Sequence, residues 1–283
     1  MKKRWIWCLC ILLLFVWGTI PPKKQALPEK NSDLVLIHGF NNRHQWGEAF
    51  LNTLVAHWKS GHIYVLYTNR SDRVWTMRIN GKIVTFAGEN DHQAGNGSID
   101  AQAKIAAHKI DLLQEKYGLD PRFAVIAHSM GGLVARELVY LRPGRVADLV
   151  TIASPHHGTP LAREYSWLGM FVHGQAAMAD LTPEAMARFN QKYPVQGSPF
   201  AKGGHLYTIA GDADGWGNRG WHGELAVGWT LLALKYGSDS DGVVRDGEAT
   251  IKGAIHVKTF PDDDHLQLIQ KPEVAETISS ILP

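Results

Sequence analysis

The residue types best suited to chemistry lie in a short stretch around Ser129, which follows Phe-Ala-Val-Ile-Ala-His and precedes Met-Gly-Gly. The apolar run 123–126 predicts a buried strand, and apolar residues recur with helical spacing after Gly132. A strand that turns into a helix around one serine is typical of a nucleophile elbow, in which the hydroxyl stands at the strand's carboxyl end. The residues two before and two after this serine must be small. Ala127, in place of the usual glycine, and Gly131 meet that need.

A serine hydroxyl is a weak nucleophile until a base takes its proton, and an acid must hold that base in the right tautomer. Elbow sites place the acid and then the histidine after the serine. Of 14 histidines, only His222, His256 and His265 come late enough. His256 lies inside the last predicted strand, and His222 leaves no later strand to carry the base. We therefore predict His265, in the loop at that strand's carboxyl end, where ligands gather in open α/β sheets.

Two aspartates compete for the role of the acid. Asp212 directly follows the predicted strand Leu206–Ala210, which is the position that a simple alternating fold offers. Asp241 lies in Ser-Asp-Ser-Asp-Gly-Val-Val, a turn that leads into a short apolar run. Spacing alone does not separate them.

An oxyanion formed on the substrate needs two N–H donors. The N–H of Met130 is free at the start of the helix that follows Ser129. The sequence His38-Gly39-Phe40 comes directly after the first apolar strand, and its glycine allows close approach of the backbone. We predict the Met130 and Phe40 N–H groups as the oxyanion hole.

Strand-like and helix-like stretches alternate from Asp33 onward, which predicts a parallel sheet with crossover helices. The predicted strands are Leu34–Ile37, Ile63–Tyr67, the run before Ser129, Leu149–Ala153, Leu206–Ala210 and Ile255–Phe260. The predicted helices are Ala49–Trp58, a helix capped by Ser98 that ends at Tyr117 before Gly118, Glu224–Lys235 and Pro272–Ile281. The stretch from Pro160 to about Gly203 has helical patterns and no strand.

An Asn80-Gly81 pair separates two strand-like runs within Val74–Phe86, which is the strongest short hairpin signal. Pairing across that turn puts five apolar side chains on one face: Trp75, Met77, Ile79, Val84 and Phe86. We expect a hairpin inserted between core units, with this face packed inward.

Composition points to one globular domain from residue 33 to residue 283, after a leader and a linker. The 283 residues suffice for a large core, and a net charge of +2, partly due to three basic residues at the start, argues against nucleic-acid binding. Residues 1–20 have the layout of a signal peptide or an N-terminal membrane anchor, and residues 21–32 resemble a linker. Cys8 and Cys10 both lie in the leader, so we expect no disulfide in the exported part.

With these residues identified, the sequence resembles the bacterial triacylglycerol lipases of the α/β-hydrolase superfamily. The likeness rests on segments 36–40, 127–132, 152–160 and 241–244, together with Asp264-His265-Leu266. A looser match, from Leu181 to Pro194, resembles part of the mobile cap of these lipases. The resemblance implies an α/β-hydrolase fold with a mostly parallel sheet, helices on both faces and a helical lid at about 160–203. It also favours Asp241 over Asp212 as the acid.

Some lipases of this kind bind Ca²⁺ or Zn²⁺. The zinc set of two histidines and two aspartates is missing, since His92 stands alone in the corresponding loop. Calcium bound by Asp212, Asp214 or their neighbours stays an alternative, but we predict no cofactor and no catalytic metal. An apolar cluster, Trp167, Leu168, Met170, Phe171 and Val172, suits a lid over an acyl pocket.

The sequence thus predicts an exported serine hydrolase of carboxylic esters, secreted or anchored at the cell surface, with the triad Ser129, Asp241 and His265. The expected substrate is a lipid or a small acyl ester, and the expected state is a monomer. A thioesterase, an amidase or an acyltransferase on the same triad remains an alternative. So does a surface scaffold that binds a lipid or a partner without catalysis.

Overall fold

The computed structural model describes residues 32–42, 46–58, 60–91, 93–164, 174–213, 223–237 and 239–283. Its strands are β1 (Asp33–Ile37), β2 (Ile63–Leu66), β3 (Val74–Ile79), β4 (Lys82–Ala87), β5 (Phe123–His128), β6 (Val146–Ile152), β7 (Leu206–Asp212) and β8 (Ile255–Pro261). Its helices are α1 (Glu48–His57), α2 (Ile99–Lys116), α3 (Met130–Leu141), α4 (Pro160–Glu164), α5 (Gln175–Asp180), α6 (Pro183–Lys192), α7 (Gly223–Tyr236), α8 (Asp246–Ala249) and α9 (Pro272–Ile281).

The eight strands form one sheet in the order β3-β4-β2-β1-β5-β6-β7-β8. Every neighbouring pair is parallel except β3 and β4, which pair antiparallel. Parallel strands require crossover connections, and the helices that supply them cover both faces of the sheet. The predicted α/β architecture is therefore confirmed.

Strand β5 lies at the centre of the sheet and is buried along its whole length. Because side chains alternate along a strand, Val125 and Ala127 pack with α2 and α3 on one face, while Ala124 and Ile126 pack with α1 and α9 on the other. A strand buried on both faces reads as a continuous apolar run, which is why the sequence identified it so clearly.

The hairpin forms as predicted. Asn80 and Gly81 both have positive φ, 44° and 82°, which is the signature of a type I′ turn. The register pairs Trp75 with Phe86, whose rings stack at 4.1 Å, and pairs Met77 with Val84. Phe86 is buried, whereas Met77 remains about half exposed, so the packing covers only part of the predicted face.

Several strand boundaries differ from the sequence prediction, most clearly those of β6 and β7. β6 begins at Val146 instead of Leu149, because the carboxylate of Asp148 is accommodated inside the strand by the N–H of His205. β6 ends before Ala153, which has a positive φ of 50°. β7 continues to Asp212, so that residue is the last of the strand rather than the first of the loop.

The N-cap of α2 is confirmed, since the Ser98 hydroxyl accepts the N–H of Ala101. In the stretch 160–203, the described residues form α4, α5 and α6 and no strand, which agrees with the helical prediction. The apolar cluster at 167–172 lies outside the described residues, as do the leader and the linker up to residue 31. Within the residues that the structure describes, no helix is long and apolar enough to cross a membrane.

Candidate active site

Ser129 stands between β5 and α3 in a backbone conformation that L-residues rarely adopt, with φ 53° and ψ −130°. Two hydrogen bonds hold this strained turn. The Ser129 N–H donates to the carbonyl of Ile152 on β6 at 2.8 Å, and the N–H of Gly132 donates to the Ser129 carbonyl at 3.0 Å. Strain of this kind costs about 1–3 kcal/mol and persists only where the surroundings enforce it.

The small residues around Ser129 have a direct steric reason. A Cβ on Gly131 would collide with the carbonyl oxygen of His38 at the end of β1. A Cβ on Gly132 would collide with the side chain of Ser154, and one on Gly39 would lie 2.9 Å from Cβ of Ser129. Gly39 and Gly131 therefore let the loop after β1 approach the elbow, and Gly132 lets the start of α3 approach Ser154 after β6.

The imidazole of His265 is paired with Asp241. Its Nδ1 lies 2.7 Å from Oδ2 of Asp241, and its main-chain N–H donates to the Asp241 carbonyl at 2.9 Å. The other carboxylate oxygen accepts the N–H groups of Val243 and Val244 at 2.9 and 2.8 Å. Because a carboxylate accepts, Nδ1 carries the proton, and Nε2 is left with a lone pair that can take a proton from an alcohol.

Asp212, the alternative acid, takes a different position. Its main-chain carbonyl accepts the N–H of Asp262 at 2.7 Å. It follows Gly211, whose added Cβ would lie 3.3 Å from Cβ of Asp241, so the end of β7 runs beside the Asp241 loop. The two aspartates are thus neighbours, and the hydrogen bond to His265 Nδ1 is made by Asp241.

His128 links the loop of His265 to the elbow. Its Nε2 lies 3.0 Å from the carbonyl oxygen of His265, and the two imidazole rings are tilted at 48° with centroids 4.6 Å apart. Since Ser129 is the next residue, this contact brings the His265 loop beside the elbow at the carboxyl edge of the sheet. Both histidines, Asp241 and Ser129 are buried.

The loop after β1 carries Phe40 into a short 3-10 turn, Phe40–Asn42, beside the elbow. The carbonyl of the peptide between Gly39 and Phe40 accepts a hydrogen bond from Nδ1 of His38 at 2.7 Å. No peptide bond in the described chain is cis, so the Phe40 N–H of that peptide points away from the His38 ring. Met130 opens α3, and its N–H precedes the intrahelical hydrogen-bond ladder.

Three buried side chains that the sequence analysis did not identify support this loop. The Thr68 N–H donates to His38 Nε2 at 3.0 Å, so the single proton of His38 is on Nδ1. The Thr68 hydroxyl donates to Oε1 of Gln102 at 2.8 Å. Nε2 of Gln102 donates to the carbonyls of Gly95 and Gly97 at 3.2 and 2.7 Å. Burial lowers the pKa of His38 to about 4, which keeps it neutral.

The sequence held a weak signal for each member of this network. Gln102 is a polar residue on the buried, apolar stripe of α2. Thr68 lies two residues after the end of β2, whose residues are all buried, at the sheet edge where sites form. Neither signal states the partner, because the two residues meet only through the packing of α2 on the sheet.

A second buried network joins α3 to α6. The guanidinium of Arg136 donates to Oδ1 of Asn190 at 2.9 Å and to the carbonyl of Tyr193 at 2.7 Å. It also lies 3.3 Å from Nδ1 of His156 and stacks over the ring of Phe189. The helix that carries Ser129 at its start is therefore tied, two turns further along, to α6.

Asp246, on α8, is the most perturbed carboxyl near the site. Burial, assisted by the charges of Asp212, Asp241 and Asp239, raises its pKa to about 6. Its Oδ1 is buried without a hydrogen-bond partner among the described residues. A neutral carboxyl fits this position better than a charged one.

No group of three or more His, Cys, Asp or Glu side chains is arranged to hold a metal within the described ranges. His92 and Asp214 lie outside those ranges, as does His222. The expectation of no metal and no cofactor therefore stays a prediction.

A cleft of about 500 Å³ lies elsewhere, lined by Gln114, Leu119, Pro121, Arg122, Gly144 and Arg145. The carbonyl of Arg145 accepts the N–H of Phe123, the first residue of β5. A six-residue strand spans about 20 Å, so the cleft lies at the far end of β5 from Ser129. It has no part in the site described above.

An eight-stranded, mostly parallel sheet with an elbow serine after its central strand defines the α/β-hydrolase fold. Comparison with known proteins agrees: the model of the PGAP1-like alpha/beta domain matches residues 64–189. That match includes Ser129 but neither Asp241 nor His265. No curated protein matches the sequence.

Solved structures of bacterial lipases and esterases are similar to the chain. The mature form of the lipase BlEst2 from Bacillus licheniformis is 20% identical, with a TM-score of 0.62 over 89% of this chain and 91% of that one. The metagenomic carboxyl esterase MGS0156 is 18% identical, with a TM-score of 0.59 over 90% and 76%. Lipase 1 from Pelosinus fermentans is 14% identical, with a TM-score of 0.53 over 89% and 100%. The chain is a lipase-like α/β-hydrolase in its fold.

Proposed function

We propose that the chain is a serine-dependent hydrolase of carboxylic esters, with Ser129 as nucleophile, His265 as base and Asp241 as the acid that orients it. The observation that carries the proposal is the 2.7 Å contact between His265 Nδ1 and Asp241 Oδ2 in a loop that packs against the residue before Ser129. A strained serine, an imidazole whose Nδ1 is held by a carboxylate, and the burial of that carboxylate are the parts that acyl transfer needs.

In the proposed reaction, the Ser129 oxygen attacks the acyl carbon while its proton passes to Nε2 of His265. The tetrahedral intermediate collapses, and the leaving alcohol takes that proton from the imidazolium. An acyl-enzyme remains, and a water molecule hydrolyses it with His265 again acting as the base. Asp241 keeps Nδ1 protonated and stabilises the positive charge that the imidazole acquires in each half-reaction.

The N–H groups of Phe40 and Met130 stabilise the negative charge on the substrate oxygen by donating hydrogen bonds to it. The Phe40 N–H is supported in this role by the hydrogen bond from His38 to the carbonyl of the same peptide. Met130 contributes the positive end of the α3 dipole as well as its own N–H. Loss of one such donor costs about 10²–10³ in kcat.

The first test is hydrolysis of p-nitrophenyl esters, from short to long acyl chains, together with labelling by a fluorophosphonate. Wild-type protein should hydrolyse the esters and become labelled, and Ser129→Ala should lose both, with a fall in rate on the order of 10⁶. Full activity of Ser129→Ala would overturn the mechanism. An unlabelled, inactive wild-type protein would favour a scaffold that binds a lipid or a partner.

A matched pair of variants tests the acid. Asp241→Asn should lower kcat by about 10⁴, because the asparagine can hold His265 in the wrong tautomer. Asp212→Asn removes the neighbouring carboxylate and should keep most of the activity. If the two variants reverse this order, Asp212 is the acid. Parallel assays with thioesters, amides and an alcohol acceptor identify the acyl group transfer that the site prefers.

We also propose that the chain is exported through residues 1–20, that it is monomeric, and that it acts on a lipid or a small acyl ester. The signal-peptide layout and the lipases among the similar structures support this proposal. Cell fractionation of the full chain, with mass spectrometry of its N-terminus, separates a cleaved signal from a retained anchor. Recovery of the whole protein in the cytoplasm, with the leader intact, would contradict it.

A further inference from the structure

Two hydrogen bonds tie His265 to Asp241: Nδ1 of the ring donates to the carboxylate, and the main-chain N–H donates to the Asp241 carbonyl. A ring held at a single edge can still pivot about the line from Nδ1 to the carboxylate. Such a pivot would swing Nε2 toward or away from Ser129. A second contact, on the face of the ring, is needed to stop it.

His128 provides that second contact. Its imidazole lies against the His265 ring at 4.6 Å, with an angle of 48° between the ring planes. Its Nε2 faces the His265 carbonyl at 3.0 Å, and because a carbonyl only accepts, that nitrogen carries a proton and donates it. His265 is thus held by its N–H and Nδ1 on the Asp241 side, and by its carbonyl and a tilted ring contact on the His128 side.

His128 is itself fixed in place. It is the last residue of β5, which is buried throughout, and Trp46 packs edge-on against its ring with centroids 6.5 Å apart. A Cβ on Gly39 would lie 3.2 Å from Nδ1 of His128, so the loop after β1 closes over the ring. The residue that contacts His265 therefore belongs to a fully buried strand inside the sheet and immediately precedes Ser129.

We infer that His128 is a positioning residue, which sets the distance between His265 and Ser129 by clamping the main chain and the ring of the base to the end of β5. The inference rests on the proposed function, because it assigns a role relative to His265 as the base. It adds a fourth side chain, one that does not touch the substrate and takes no proton from it. Its effect should fall on the rate of the chemical step and leave substrate binding unchanged.

Two variants separate the two contacts of His128. His128→Phe keeps a ring against His265 and removes the donor to its carbonyl. His128→Gln keeps a donor of similar reach and removes the ring face. The control is His205→Phe, which replaces an exposed histidine that packs on Tyr207, with centroids 6.0 Å apart, outside the site.

We expect kcat for a p-nitrophenyl ester to fall by about 10- to 100-fold in each His128 variant, with KM nearly unchanged, because a shift of about 1 Å in a catalytic group has an effect of this size. His205→Phe should keep the wild-type kcat. The active fraction of each preparation is measured by titration with a fluorophosphonate, so that kcat refers to folded sites only. A low-field proton resonance from His265 Nδ1, sharp in the wild type, should broaden in both His128 variants.

A merely structural role predicts a different pattern: a lower melting temperature and a smaller active fraction, with the kcat per titrated site and the low-field resonance unchanged. That result would overturn the inference while leaving the proposed function intact. If the wild-type protein is neither active nor labelled, the proposed function itself fails. The two failures are therefore distinguishable in one set of measurements.

Discussion

Replacing His38 with phenylalanine tests whether the hydrogen bond to the Gly39 carbonyl sets the direction of the Phe40 N–H. Phenylalanine fills the same space but leaves two buried main-chain groups unpaired, the Thr68 N–H and the Gly39 carbonyl. Each unpaired group costs about 1–3 kcal/mol, so we expect a loss of about 2–6 kcal/mol at pH 7, measured by urea unfolding. The freed peptide should also lower kcat for a p-nitrophenyl ester by about 10²-fold, with KM little changed.

The same variant has a pH signature whose sign follows from the pKa of His38. Burial lowers that pKa from 6.5 to about 4. At a pH between these two values, His38 is protonated in the unfolded chain but not in the folded chain. Wild-type stability should therefore fall by about 3 kcal/mol from this residue as the pH drops from 6.5 to 4, and His38→Phe should lose that part of the slope. Buried His156, whose pKa is also lowered, keeps some slope in the variant.

A folded His38→Phe protein with the wild-type kcat at pH 7 would refute the role of the hydrogen bond from His38 to the Gly39 carbonyl. An unfolding free energy that depends on pH between 4 and 6.5 as steeply as in the wild type would refute the lowered pKa of His38. His205→Phe, at an exposed position, serves again as the control and should change neither quantity.

Two further predictions concern the surroundings of the site. The raised pKa of Asp246 means that wild-type stability declines as the pH rises from about 4 to 6. Asp246→Asn removes this decline, so its melting temperature at pH 7.5 minus that at pH 5 should be more positive than the same difference in the wild type. Equal differences in the two proteins would contradict the assigned burial. Arg136→Met should lower the free energy of unfolding by about 2–4 kcal/mol, because it leaves Asn190 Oδ1 and the Tyr193 carbonyl without their buried donor. Urea unfolding measures this loss, once the native secondary structure of the variant has been verified. A loss below about 0.5 kcal/mol would show that these acceptors find other donors.

Several features were predictable because they depend only on neighbours in the chain. The apolar run of β5, the Asn80-Gly81 turn and the Ser98 cap are local patterns, and the structure contains all three. The same holds for the serine elbow, because a strand-to-helix turn requires small side chains on either side of Ser129, and Ala127 and Gly131 supply them. Local patterns work here because φ and ψ preferences and side-chain period act over a few residues.

The contacts that organise the site were not predictable in this way. Spacing left Asp212 and Asp241 as equal candidates, and only the path of the loop before α8 places Asp241 on His265. His128 reaches a carbonyl 137 positions further along the chain. Such contacts depend on strand order, because the carboxyl ends of β1, β5, β7 and β8 are brought to one edge only when the sheet has assembled.

The sequence by itself thus determined the main elements, the position of the elbow serine and the class of fold. The tertiary structure decided which buried polar groups satisfy one another: His38 with Gly39, Thr68 with Gln102, and His128 with His265. The physical reason is that a buried donor or acceptor must find a partner, and which partner lies within about 3 Å is a property of packing in three dimensions.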